Sequence, residues 1–215
     1  MNPVRLIMKT FAVVCLSFSM VGAHAEAPIA GYVTKVRGEV VAAAESGRLT
    51  LALGHALHQG YRLLTGADAR LEARMKDGTV LTLGERTEFV IQQVTGAAVN
   101  SKSTRFELLK GAFRAVTTAP EASAKLDWQV RTPVAIIGVR GTEVWGGFNL
   151  LGAGDRTLDV VMLEGKGVFV ETPTGMVDLL KAGDGTTVVD ADASPAPLKP
   201  WGEKKLQAAI ESVSW

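Results

Sequence analysis

The sequence is poor in the residues on which several kinds of protein depend. It holds one cysteine, Cys15, so neither a disulfide framework nor a thiolate metal cage is available. Aromatic residues make up 6%, and lysine plus arginine exceed aspartate plus glutamate by one charge. No basic stretch is interleaved with aromatics, so the footprint of a nucleic-acid binder is missing. A formal charge of +1 gives no pull toward an anionic membrane surface. Between 29 and 190 there is no convincing helix of ten residues. What remains, at 47% hydrophobic and 21% charged, is an ordinary globular composition with enough apolar residues for a core.

The first 25 residues form a separate unit. Arg5 and Lys9 give a positive start, Phe11 to Val21 is an apolar run broken by Ser17 and Ser19, and Ala23-His24-Ala25 supplies a small-x-small cleavage pattern. This reads as a signal peptide cut before Glu26. The run is short of the roughly 20 residues that span a bilayer. Cys15 does not make a lipoprotein site, because Val14 stands where a small residue is needed. Cleavage would remove two basic residues, no acidic ones and the only cysteine, leaving 21 basic against 22 acidic. The expectation is an exported, periplasmic protein with no stable membrane span after cleavage.

Residues 26–190 read as an all-β domain, a roll or sandwich of short antiparallel strands. Short Val/Leu/Thr-rich runs recur between glycine and Asp-Gly punctuation. Leu71 to Met75 alternates as a half-buried strand, Asp77-Gly78 predicts a type I′ hairpin turn, and Val80 to Leu83 returns as its partner. Thr95 to Thr104 reads as a loop, and Thr117 to Lys125 as a crossing between two halves of the β-structure. Gly38, Gly111 and Gly165 each stand between an apolar stretch and a β-prone run, at uneven spacings of 73 and 54 residues. They predict bulges or tight strand bends, not a solenoid. Residues 191–215 read as a stiff Pro/Ala linker and a short amphipathic helix. In that helix Leu206, Ala209, Ile210 and Val213 share a face that covers the open end of the domain; the alternative is a docking helix for another protein or a membrane interface.

Candidate chemistry is sparse. His55 and His58 are three residues apart with no third ligand evident, so they read as surface or turn histidines and not as a metal site. No Gly-x-Ser-x-Gly elbow accompanies them. Glu143, Asp155, Asp159 and Glu164 surround a glycine-rich stretch; glycosidase chemistry would need two of them across a cleft, and solvated turn carboxylates are the expectation. Gly138 to Gly141 lacks the Lys-Ser/Thr ending of a phosphate loop, and Gly165-Lys166-Gly167 lacks the third glycine of a dinucleotide loop. No catalytic, cofactor or metal residue is therefore assigned.

The most unusual stretch is Val130 to Trp145, where Thr132-Pro133 leads into an apolar run and then Gly138, Val139, Arg140, Gly141 and Thr142. A cation there interrupts what otherwise reads as a core strand. A guanidinium carries five donors in a fixed fork, so the expectation is that Arg140 is buried and ties the turn to its neighbours. The alternative is a partner-facing cation. Arg131 reads as exposed.

This stretch resembles the "TP…vRGT" signature of the FecR domain family. The resemblance runs over roughly 29–188: Gly31 through Val40, Leu57 through Gly66, Leu71 to Leu83, Leu108 to Phe113, and Leu163 to Val170 followed by Leu180 to Gly183. It implies an all-β periplasmic domain. In the best-known members that domain hangs from one inner-membrane helix and relays an outer-membrane transporter's signal to a cytoplasmic sigma factor. The N-terminal segment read above departs from that pattern. The expectation is thus a stand-alone, non-catalytic interaction or signalling module that binds another envelope protein, with exposed sheet edges offering strand addition. The rivals are an envelope glycan-binding protein or carbohydrate-active enzyme, and a structural envelope protein without a signalling role.

Overall fold

A computed structural model describes residues 27–95, 102–117 and 126–215. The chain opens with β1 (Ile29–Arg37), β2 (Val40–Ala44), β3 (Gly47–Thr50), β4 (Ala56–His58), β5 (Arg62–Thr65) and β6 (Arg70–Met75). β7 (Val80–Leu83), β8 (Glu88–Val94), β9 (Lys102–Lys110), β10 (Ala112–Val116), β11 (Leu126–Arg131) and β12 (Ile136–Val139) follow. The last part holds β13 (Thr142–Phe148), β14 (Leu158–Gly165), β15 (Val168–Thr172), β16 (Gly175–Leu179), β17 (Asp184–Val188), β18 (Lys199–Pro200) and α1 (Glu203–Glu211). The chain is all-β with one short C-terminal helix.

The strands build two nine-stranded sheets. The first has the order β18-β17-β14-β13-β10-β7-β6-β1-β4 and the second β16-β15-β12-β11-β9-β8-β5-β2-β3. Hairpins stay within a sheet, and the segments between hairpins carry the chain across to the other, so both sheets grow in parallel along the roll. β9 and β11 pair in parallel, because the chain visits the first sheet between them as the single strand β10. The segment read as a crossing between two halves thus joins strands of different sheets. Residues 118–125 themselves, like 1–26 with the signal-peptide reading and 96–101 of the expected loop, lie outside the described residues.

The recurrent glycines mark corners. Gly38 links β1 to β2, Gly111 links β9 to β10, and Gly165 ends β14 before the turn to β15, with φ of 69°, 81° and 118°. Each is a crossing from one sheet to the other, which a bulge reading only half captures. Positive φ explains the residue type, and space does so again at Gly111, where a Cβ would lie 2.5 Å from Thr87 Cα.

Alternation along the strands places the core between the sheets. In β6, Leu71, Ala73 and Met75 face inward, while Glu72 is half-buried and Arg74 exposed. Phe113, Phe89, Phe106 and Trp128, in that order, form a chain of rings, with successive centroids 5.2 to 5.9 Å apart. Each such side chain contributes about 1.5–3 kcal/mol by burial. The β6–β7 hairpin forms as expected, but its turn is not type I′. Only Gly78 takes a positive φ, 93°, and its amide bonds to Met75 O while Met75 N bonds to Thr79 O. That is a three-residue loop whose glycine closes a type I turn. Asp77 is then buried, its carboxylate accepting from Thr79 N, Thr79 Oγ1 and Thr104 Oγ1.

The C-terminal segment is no free linker. Ala196 N donates to Thr187 O, Thr186 Oγ1 donates to Ala196 O, and Ser194 Oγ donates to Thr174 O. α1 then packs on the outer face of the first sheet, with Leu206, Ala209 and Val213 against Trp145, Leu150, Val161 and Trp201. Docking on its own domain is as expected, although it covers a sheet face and not an open end. Ile210 is left 37% exposed, and Ala208 takes part in the contact instead. Among the described residues, no helix is long and apolar enough to cross a membrane.

Candidate functional site at the Arg140 corner

The 130–145 segment joins three elements, and nearly every residue type in it has a local reason. Thr132 makes the β11–β12 turn: its hydroxyl accepts from Val134 N and Ala135 N and donates to Ala135 O. Pro133, with no amide to donate, sits in that turn three residues before β12 starts. Gly138 lies under the Phe169 ring, where a Cβ would come within 1.9 Å of Cε1. Gly141, at φ 61°, makes the corner between the sheets.

Thr142 fastens that corner to the next one. Its hydroxyl proton is shared between the carbonyls of Gly167 (3.0 Å) and Arg140 (3.1 Å), and its oxygen accepts from the amides of Gly167 (3.1 Å) and Lys166 (3.2 Å). Arg140 N also donates to Gly167 O. On the other side, Thr117 Oγ1 accepts from Thr142 N at 2.8 Å and donates to Thr142 O at 3.0 Å. Two threonines therefore do the tying that the sequence suggested for the arginine. Of Gly38, Gly111, Gly141 and Gly165, only Gly141 has a threonine beside it in sequence, and a hydroxyl gives no hint of its partners until the crossovers are adjacent.

Arg140 itself corrects the expectation. Its side chain is exposed, and it makes no hydrogen bond or ion pair among the described residues. The carbonyls that it was expected to satisfy are held by Thr142, so burial of the guanidinium would gain nothing. Arg131 is exposed, as expected.

The other candidates separate. His58 is buried and not on the surface: Nδ1 lies 2.6 Å from Ala27 O, and its ring tilts against Tyr61. His55 Nδ1 accepts from Ala52 N within the turn before β4. Among the described residues, no three His, Cys, Asp or Glu side chains converge as a metal site. The four carboxylates are not one cluster. Asp155 and Glu164 are exposed, while Glu143 is half-buried and bonds Arg114 Nε at 2.8 Å. Asp159 is 1% exposed, so it is no solvated turn residue; it receives Lys205 Nζ of α1 and Thr187 Oγ1, each at 2.5 Å. A buried carboxylate needs such partners, and here they anchor the helix. A cavity of about 480 Å³ lies between α1 and the 149–155 loop, lined by Trp145, Phe148, Leu151 and Glu211 among others. The one hydroxyl in its lining, that of Ser212, donates to Ala209 O and accepts from Trp145 Nε1, and bonds to none of the carboxylates there.

At the opposite end of the same strands the corners differ. β10 shows the geometry: Ala112 pairs Gly147 and Val116 pairs Glu143, so Gly111 and Arg140 lie at opposite ends of the first sheet. The Gly111 end gathers the β1–β2, β5–β6, β7–β8 and β9–β10 corners. Gly66 N donates to Glu39 O and Arg86 N to Gly66 O, and the Thr87 hydroxyl bridges Ala112 N and O. Arg37 Nε donates to Asp68 O, Arg86 pairs with Glu85, and Arg70 donates to Ala69 O and Ser214 O. Burial, and then the neighbouring Arg37 charge, draw the Arg70 pKa below the usual arginine value.

An all-β, two-sheet roll, with an arginine at a stapled corner whose side chain makes no bond among the described residues, is the class that fold and site define. Residues 61–166, from Tyr61 to the Lys166 corner, match the model of the FecR protein family, so the roll contains a FecR segment. Two crystal structures of a Parabacteroides distasonis ATCC 8503 protein, provisionally described as an anti-sigma factor, share the fold. Each is 18% identical, with a TM-score of 0.53 over 68% of this chain and 62% of that one. The match thus spans less than two thirds of that protein's length. No curated protein matches the chain.

Proposed function

We propose that this protein is exported to the periplasm, loses residues 1–25, and acts there as a non-catalytic interaction and signalling module that binds another envelope protein. The observation that carries this reading is Arg140. In a segment where threonines and glycines each satisfy a turn, a corner or a close approach, it is an exposed cation without an intramolecular bond among the described residues. The FecR segment and the signalling description of the similar fold agree with a regulatory role. Domain limits at 26–190 for the β domain and 191–215 for its C-terminal appendage belong to the same reading. The appendage packs as part of the domain.

Two experiments test it. A photo-crosslinking amino acid placed at Arg140 in growing cells should trap one discrete protein adduct, and the same probe at Arg131 should not. Absence of any Arg140 adduct sinks the module reading. N-terminal sequencing of the periplasmic fraction should begin at Glu26; recovery of Met1 in the membrane pellet would overturn export by cleavage.

A further inference from the structure

Arg140 does not stand alone. The β14–β15 corner carries Lys166 and the β16–β17 corner carries Lys181, both exposed. In the first sheet β14 follows β13 and β17 follows β14; in the second β15 follows β12 and β16 follows β15. The three corners are therefore stacked one strand apart, about 4.8 Å each. Thr142 pins the first two together. Leu180, 64% exposed, lies beside Gly167 and links the second to the third. No side chain of the three cations makes an ion pair or hydrogen bond among the described residues.

Neighbouring carboxylates do not neutralise this row. Glu143 is occupied by Arg114, and Asp184 accepts from the Lys181 amide, not from its ammonium. Glu164, and Asp178 on the strand leading to Lys181, are exposed nearby, but neither pairs with a cation of the row among the described residues. We infer that the Arg140–Lys166–Lys181 row is a docking strip for an extended, acidic segment of a partner protein, with apolar residues between the acidic ones. The inference rests on the proposed protein partner and adds its chemistry. Cations spaced along a line suit carboxylates on one face of an extended chain, which recur every roughly 6.6 Å; Leu180 then meets the methylene stems of the acidic side chains, and the apolar residues between them lie on the far face. A flat anionic membrane would instead ask for cations spread over a face.

The probe is the peptide acetyl-Glu-Leu-Glu-Leu-Glu-Leu-Glu-amide, titrated into the purified protein at low and physiological salt. Amide shifts should centre on 139–142, 165–168 and 180–183, and affinity should fall as salt rises. The combined variant Arg140→Glu, Lys166→Glu, Lys181→Glu should weaken binding by about tenfold or more at an unchanged melting temperature. The control variant Lys110→Glu should bind like wild type. If the reversed protein does not fold, the neutral set Arg140→Gln, Lys166→Gln, Lys181→Gln replaces it. No binding, or equal binding by these variants, overturns the strip. So does preferential binding to phosphatidylglycerol vesicles. An Arg140 photo-adduct in cells without peptide affinity overturns only the acidic chemistry, whereas peptide affinity without an adduct overturns the module reading and keeps the strip.

Discussion

The two ends of the roll solve the same problem with the same parts, and differ in what their cations do. At the Gly111 end and at the Arg140 end, the chain crosses between sheets on positive-φ glycines and is fastened by threonine hydroxyls. At the first end, Arg37, Arg70 and Arg86 all bond to neighbouring carbonyls or a carboxylate, and Lys110 alone is left without a partner among the described residues. At the second, the side chains of Arg140, Lys166 and Lys181 make no hydrogen bond or ion pair among the described residues. Cations are thus not needed to build a corner of this kind. Of the engaged ones, Arg37 and Arg86 bond within the corners, and Arg70 also reaches the C-terminal segment through Ser214 O. Where they are not engaged, stability gives no reason for them.

The shared parts should fail alike. Gly111→Ala and Gly165→Ala each force a side chain into a left-handed backbone, with Cβ 2.5 Å from the Cα of Thr87 or Thr142. Strain of about 1–2 kcal/mol plus overpacking of about 1–3 predicts a loss of about 2–5 kcal/mol at either end. Urea unfolding of the two variants measures this. A large loss at one end only would break the equivalence of the two rows.

Much of this fold was legible because its signals are local. Alternation in Leu71 to Met75, the Asp77-Gly78 punctuation and the corner glycines each depend on a few neighbouring residues. The turn type was missed because Asp-Gly serves two loop lengths, and only the pairing of Met75 with Thr79 decides between them. Contacts distant in sequence were not legible. Asp159 meets Lys205 across 46 residues, and Thr142 meets Gly167 across 25. Composition marks Asp159 as polar and therefore as solvated, until a helix brings an ammonium to it. Arg140 was singled out correctly as unusual and placed wrongly, since its supposed duty had already been taken by a hydroxyl two residues on.

The next test concerns those hydroxyls. Thr87→Val and Thr142→Val keep shape but leave buried amides and carbonyls without partners, at roughly 1–3 kcal/mol for each group that water cannot reach. A loss of about 2–3 kcal/mol is expected in each, or about 4–12 °C in melting temperature for a chain of this size. Thr142→Val should in addition broaden the amide signals of Lys166 and Gly167, which the hydroxyl receives. Unchanged melting in either variant would remove the threonine staple as the common fastening of the two rows.

Arg70→Ala then probes the engaged cations. Arg70 is 8% exposed as a residue, and its guanidinium donates to Ala69 O at 2.8 Å and to Ser214 O at 3.2 Å. Hydrogen bonds to a charged group are worth about 1.5–3 kcal/mol, and that is the expected loss. Because one bond reaches the chain end, hydrogen exchange in 212–215 should quicken as well. A neutral Arg70→Ala with unaltered exchange would mean that the closed row does not depend on its arginines.

The smallest expected effect on stability carries the sharpest distinction. Arg140→Ala removes an exposed side chain with no bond to lose among the described residues, so its unfolding free energy should stay within about 0.5 kcal/mol of wild type. The corner itself is retained, since Arg140 contributes only its backbone to it, through its amide to Gly167 O and its carbonyl to Thr142 Oγ1. Replacing the side chain disturbs neither. Paired melts of Arg140→Ala and Arg70→Ala therefore measure the difference between the rows directly. If the Arg140 variant melts as low as the Arg70 variant, the guanidinium is a structural tie after all. If it melts like wild type and loses the envelope adduct captured from the Lys166 position, the free cation belongs to a partner.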